Sequence, residues 1–160
     1  MESPLSLGTL HITQTMLRDI SADIIKNHLM RYRFSTITLS GDSSIDIHKI
    51  IQPIRTNVLV LNYPPDIDSL VYLRTFLMIS HIRKVIIKAD NFVTKYLPFG
   101  TFESGTPGLF GAMIRNPNIT KVVISNTDNS KKLKREFRKE RKNHIDGLLI
   151  PGPRTTLKII

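Results

Sequence analysis

A six-residue pattern, apolar–x–x–apolar–x–apolar, recurs along this chain and constrains it more than any other feature. It appears as FSTITL with Phe34, Ile37 and Leu39, as IRKVII with Ile82, Val85 and Ile87, and as ITKVVI with Ile119, Val122 and Ile124. A further copy, TNVLVL, carries Leu59 and Leu61 but has Thr56 in the first apolar place. The branched aliphatic content favours strands. Helical patterns fill the gaps. Asp42 to Ile54 places Ile47, Ile50, Ile51 and Ile54 on one face, with Pro53 near its end. After Tyr63-Pro64-Pro65, Asp66 is expected to cap a helix carrying Ile67, Leu70, Val71, Arg74 and Leu77. A strand–helix unit this small cannot bury its own apolar face, so stacked neighbours must bury it jointly. The expectation is one α/β domain over residues 1–160. A chain of that length buries roughly 68–70% of its unfolded surface and needs no covalent staples.

The segments NPNITKVVISNTD (Asn116–Asp128), RFSTITLSGD (Arg33–Asp42) and HIRKVIIKAD (His81–Asp90) resemble strands of the leucine-rich-repeat family in a degenerate form. The copies begin at residues 34, 56, 82 and 119, so the steps are 22, 26 and 37 residues. Two steps fall in the family's range of about 20–29, and the third exceeds it by about ten. Asp42, Pro64, Asp90 and Thr127 stand where the family's motif closes on asparagine. The resemblance implies a short leucine-rich-repeat-like parallel sheet with helices on one face. Residues 1–33 then form an N-terminal helical cap, 34–128 the repeat region with an insertion at 97–111, and 129–160 a basic helix and tail. A doubly wound α/β sheet alternates strand and helix in the same way and is the alternative. Placement decides between them: the repeat form puts Val85 and Val122 on equivalent strands with helices on one face, the doubly wound form puts helices on both.

Thr15 to Tyr32 reads as one amphipathic helix with Leu17, Ile20, Ile24, Ile25 and Leu29 on its apolar side. Its plain role is to cover the open end of the stack. The spacing Leu17-x-x-x-Ser21-x-x-x-Ile25 also resembles the elongin-binding helix that precedes leucine-rich repeats in substrate receptors of cullin–elongin ubiquitin ligases. That resemblance implies adaptor binding by Leu17, Ser21 and Ile25, with elongin C and a cullin as partners. Ser21 stands where that family carries cysteine.

Charge gives the second functional reading. Of the formal +10, the segment Lys131 to Lys142 contributes +6 from eight basic residues and two acids, leaving +4 for the rest. Only Leu133 and Phe137 are apolar within it, so a helix here docks by a narrow edge. Lys131, Lys132, Lys134, Arg135, Arg138, Lys139, Arg141 and Lys142 are the candidate residues for binding nucleic-acid phosphates. A nuclear address or a solvated face would use the same residues.

Several chemistries lack their residues. There is no cysteine, hence no disulfide, thiol nucleophile or cysteine-held metal. His11, His28, His48, His81 and His144 show no paired metal spacing. The glycines of Leu97–Gly111 (LPFGTFESGTPGLFG) follow no strand and close on no Gly-Lys-Ser/Thr, so they do not form a phosphate loop. They read as a loop anchored by Phe99, Phe102 and Phe110. Asp42, Asp46, Asp66, Asp68 and Asp90 sit at strand-to-helix junctions, where capping is the simplest use of them. No catalytic residue, metal, cofactor or small-molecule ligand is expected. No apolar run is long enough to cross a membrane, and the first residues lack the features of a secretory signal. The expected protein is a non-catalytic interaction module of the cytoplasm or nucleus, with a basic nucleic-acid-binding protein as the alternative.

Overall fold

Six strands form, and they lie side by side in chain order. They are β1 (Ser6–Thr13), β2 (Arg33–Ser40), β3 (Thr56–Asn62), β4 (Lys84–Lys88), β5 (Lys121–Ser125) and β6 (Thr156–Ile159), and the sheet order is β1-β2-β3-β4-β5-β6. Every neighbouring pair is parallel. The computed structural model describes residues 6–42, 50, 54–98, 108–146 and 155–160.

The recurring pattern becomes register. Leu10, Ile37, Leu59, Val85, Val122 and Leu157 form one row across the sheet. Ile12, Leu39, Leu61, Ile87, Ile124 and Ile159 form the next row on the same face. The interior members are fully buried, and Leu10, Leu157 and Ile159 on the edge strands are partly buried against them. Each fully buried aliphatic side chain contributes roughly 1.5–3 kcal/mol of transfer free energy. Thr56, in the apolar place of the third strand, is also buried; its hydroxyl donates to the Val58 carbonyl, which removes the cost of burying it.

The helices are α1 (Gln14–Asp19), α2 (Ala22–Arg31), α3 (Ile67–Ile79), α4 (Leu109–Arg115) and α5 (Ser130–Asp146), with a short 3-10 turn at Thr94–Tyr96. Ile25 and Leu29 of α2, Leu70, Leu73, Phe76 and Leu77 of α3, Phe110 and Met113 of α4, and Leu133 and Phe137 of α5 join the two strand rows in one core. The opposite face of the sheet contributes nothing to that core. A parallel sheet that always steps to the next position, through crossovers of one hand, keeps its connections on one side. A doubly wound sheet must reverse direction and place helices on both sides. The sequential order contains no such reversal, and Val85 and Val122 are direct register partners.

As expected, Asp66 caps α3: its carboxylate accepts from the Ser69 amide at 2.7 Å. The helix is apolar nearly all round. Leu70 and Leu77 turn inward, but Val71 is exposed, as are Tyr72, Met78 and Ile79. A buried asparagine ties this region together. Asn116, the C-cap of α4, donates from Nδ2 to the carbonyls of Leu77 and Ser80, both at 2.8 Å, and accepts from the Asn118 amide at 2.9 Å.

Three expectations need correction. Residues 6–13 are not part of a helical cap but form the edge strand β1, whose Leu10 and Ile12 extend the two core rows. The helix expected over Thr15–Tyr32 is two helices, interrupted at Ile20 and Ser21, both of which leave the helical conformation. The two helices begin at separate N-cap positions. The Thr13 hydroxyl accepts from the Met16 amide to start α1, and Ser21 holds the N-cap position of α2, its carbonyl accepting from the Ile25 amide. Phe110 does pack onto the core, but from helix α4 rather than from a loop; it lies edge-on to Phe137 at 5.2 Å, and its amide donates to the Leu97 carbonyl. Residues 99–107 of the glycine-rich stretch, with Phe99 and Phe102, lie outside the described residues. So does the helix expected over Asp42–Ile54, apart from Asp42 and the buried Ile50 and Ile54.

Candidate functional site

Alternation along a strand sends the residues between the core rows to the other side. There Thr9, Thr36, Val58, Lys84, Lys121 and Thr156 form one row, and His11, Thr38, Val60, Ile86, Val123 and Lys158 the next. No described element covers this face. It grades from hydroxyls on β1 and β2, through half-exposed Val58, Val60 and Ile86 beside the buried Val123, to lysines on β4, β5 and β6.

The electrostatics of the face are one-sided. None of the six strands contains an aspartate or glutamate. Lys84 and Lys121 are direct cross-strand partners, and neither has a carboxylate partner among the described residues. Like charges placed opposite one another on neighbouring strands destabilise a sheet. The pair is only half exposed, so water screens it incompletely.

Acids gather instead where the strands end. Asp42, Asp66, Asp90 and Asp128 follow β2, β3, β4 and β5. Asn91 fastens that end by donating from Nδ2 to the carbonyls of Gly41 and Asn62, both at 2.9 Å. Nearby Tyr63 is fully buried, edge-on to Phe92. Burial, with the charge of Asp66 adding to it, pushes the Tyr63 phenol well above its ordinary range, so it stays neutral at physiological pH. Among the described residues no cluster of histidine, aspartate or glutamate side chains could hold a metal ion. Nor does any described helix have the length and apolarity to cross a membrane.

The residues matched to the elongin-binding helix do not share a surface. Leu17 lies on α1 and packs partly against the core, Ser21 is exposed between the two helices, and Ile25 of α2 is buried at 6% exposure. The basic cluster is better placed. Lys131, Lys132, Lys134, Arg135, Arg138, Lys139 and Lys142 are all exposed on α5, while Leu133 and Phe137 dock its other edge. Arg141 differs: its guanidinium sits 5.9 Å from the Phe137 ring and Nη1 donates to the Thr155 carbonyl at 3.4 Å, so it helps join α5 to the segment leading into β6.

No family model, curated protein or solved structure matches the chain. The functional reading therefore rests on the surfaces themselves.

Sequence reasoning missed the open face as a site, although its signal was present. The last two x positions of each copy hold only Thr, Val, Lys and Ile, none of the x positions holds an acid, and register converts that bias into one continuous surface.

Proposed function

We propose that the protein is a non-catalytic interaction module whose open sheet face binds an acidic protein partner. The carrying observation is the uncompensated Lys84–Lys121 pair beside the half-exposed apolar side chains of Val60 and Ile86. Apolar contact supplies most of the association energy, and the lysines select an acidic counterpart and steer it. In the leucine-rich-repeat resemblance, too, the uncovered sheet is the surface that faces a client. The ligase-receptor form of this reading, with elongin C and a cullin as partners, draws less support. It asks Ile25 to leave the core and the break at Ile20 and Ser21 to close.

The test is differential capture. Wild-type protein, an Ile86→Glu/Lys121→Glu variant and a helix α5 variant are used as baits, and each retained protein is then purified and titrated. The expected result is an acidic protein bound by the wild type and the α5 variant, and at least about tenfold more weakly by the open-face variant, the equivalent of about 1.4 kcal/mol. A partner that binds all three baits alike overturns the reading. Titration with purified elongin C at micromolar concentration tests the adaptor form separately.

A second reading is favoured by the seven exposed basic side chains of α5. They would hold nucleic acid through its phosphates. Changing Lys134, Arg135, Arg138 and Lys139 to Ala should then weaken binding to all sequences alike, since phosphate contacts carry no base information. The slope of log affinity against log salt should flatten by nearly one unit for each phosphate no longer neutralised. Stability should hold within about 0.5 kcal/mol, because Leu133 and Phe137 are untouched. Unchanged RNA and DNA binding removes this reading.

A further inference from the structure

The opposite edge of the sheet, where the strands begin, carries a cleft of about 540 Å³ lined by Arg33, Arg55, Thr56, His81, Arg83 and Asn118. Repetition in the sequence assembles it. Arg33, Arg55, His81 and Asn118 each stand directly before the first place of a copy of the strand pattern, so register brings them to one edge. Arg83 joins them one residue before β4.

The backbone beneath the cleft is fixed. The Arg83 amide donates to the Asn57 carbonyl at 2.9 Å, and the Arg83 carbonyl accepts from the Thr120 amide at 2.9 Å. The Arg55 carbonyl accepts from the Phe34 amide. The Asn118 side chain donates to the Ser80 carbonyl, and Arg33 Nη2 donates to Asn57 Oδ1 at 3.0 Å. Three guanidiniums and an imidazole are thus carried on a hydrogen-bonded backbone. None of the three arginines has a carboxylate partner among the described residues. The acids at the junctions after β2 to β5 lie a strand length away, on the order of 15–25 Å.

We propose that this cleft binds a small polyphosphate, a ligand with two or more phosphate groups held through those groups. Guanidiniums present planar pairs of donors that match phosphate oxygens, and they stay charged at every physiological pH. The volume falls within the range of small-ligand sites, about 300–1,000 Å³, and exceeds what a single phosphate fills. Among the described residues the lining carries three guanidiniums and no phenylalanine, tyrosine or carboxylate, which favours recognition through the phosphates. The sequence alone pointed to no small-molecule ligand, because its arginines are scattered along the chain. The inference is independent of the open sheet face, which lies on the broad side of the strands rather than at their ends.

The experiment is calorimetric titration of the full chain with sodium tripolyphosphate, ATP and orthophosphate at low ionic strength. Saturable one-to-one binding of tripolyphosphate is expected, with ATP similar and orthophosphate much weaker. Arg55→Gln and Arg83→Gln should each weaken tripolyphosphate binding by about tenfold or more, the usual scale for losing a charged hydrogen bond. Arg83→Lys should fall between, since it keeps the charge and loses the paired donors. Thermal melts should show these variants folded, because they alter exposed side chains only. The control, Lys134→Ala/Arg138→Ala on α5, should leave binding unchanged. No saturation with the wild type overturns the proposal, as does an equal loss in the cleft and α5 variants, which would mark general charge attraction. ATP binding far more tightly than tripolyphosphate would mean that the cleft reads a base, and overturns recognition through phosphate alone.

Discussion

Phe137→Ala should lower stability by about 3–5 kcal/mol in urea or guanidinium unfolding, the range for removing a buried aromatic ring. The ring is 2% exposed and meets Phe110 edge-on at 5.2 Å. That pairing adds about 0.5–1.5 kcal/mol beyond the area it buries. The loss has a local signature. Helix α5 holds to the core by Leu133 and Phe137, and the rest of its described surface is charged or half-exposed. An isolated helix of this size is marginal in water, so α5 should fray before the sheet unfolds. Arg141 stacks on the same ring and donates to the Thr155 carbonyl, so the amides of β6 should lose hydrogen-exchange protection along with α5. A destabilisation under about 1 kcal/mol with β6 still protected would mean that α5 is held mainly by other interactions.

Asn116→Ala should cost about 3 kcal/mol, although it removes no apolar volume. The Leu77 carbonyl would lose its donor and the Asn118 amide its acceptor, while the Ser80 carbonyl would keep only Asn118 Nδ2; each orphaned buried group costs about 1–3 kcal/mol. The isosteric Asn116→Asp should be worse at neutral pH. It would set a carboxylate oxygen against the carbonyls of Leu77 and Ser80. Only the protonated acid can donate there, so the new carboxyl would have a raised pKa in the folded state. Its contribution would be present below the ordinary carboxyl pKa and lost as pH rises through the folded value, so this variant should gain on the wild type as pH falls. Chemical unfolding of the two proteins across that range measures the effect. Parallel pH profiles for wild type and Asn116→Asp would show that water reaches the site.

Much of the sheet was legible because a parallel sheet buried on one face leaves a repeating mark. Leu59, Val85 and Val122 occupy equivalent places in the pattern and become one row. Strand β1 carries the same mark in Leu7, Leu10 and Ile12, paired with Phe34, Ile37 and Leu39. It escaped notice because Gly8, Thr9 and His11 dilute it, and Gly8 has open space where a side chain would stand. Strand β6 has only Leu157 and Ile159, too little for any periodic test. The break at Ile20 and Ser21 was hidden for a different reason. Apolar spacing of the helical kind continues through both halves, while the backbone turns extended at Ile20 and Ser21, and spacing does not register such a turn. The arginine cleft was written in the sequence as a basic or amide residue before each copy. That regularity acquires meaning only once parallel register brings the residues to one edge.

The strict strand order has a consequence for growth. Each strand is hydrogen-bonded only to those immediately before and after it in the chain, and the two ends of the sheet never meet. Cooperativity therefore passes from neighbour to neighbour, as in a row of dominoes rather than a closed ring. Damage to β1 should fade before it reaches β5, and a duplicated strand–helix unit inserted after β2 would find its interfaces already made. Such an insertion would widen the open face and lengthen the row of side chains at its starting edge in a single step. A chain built this way can lengthen its binding surfaces without redesigning its core.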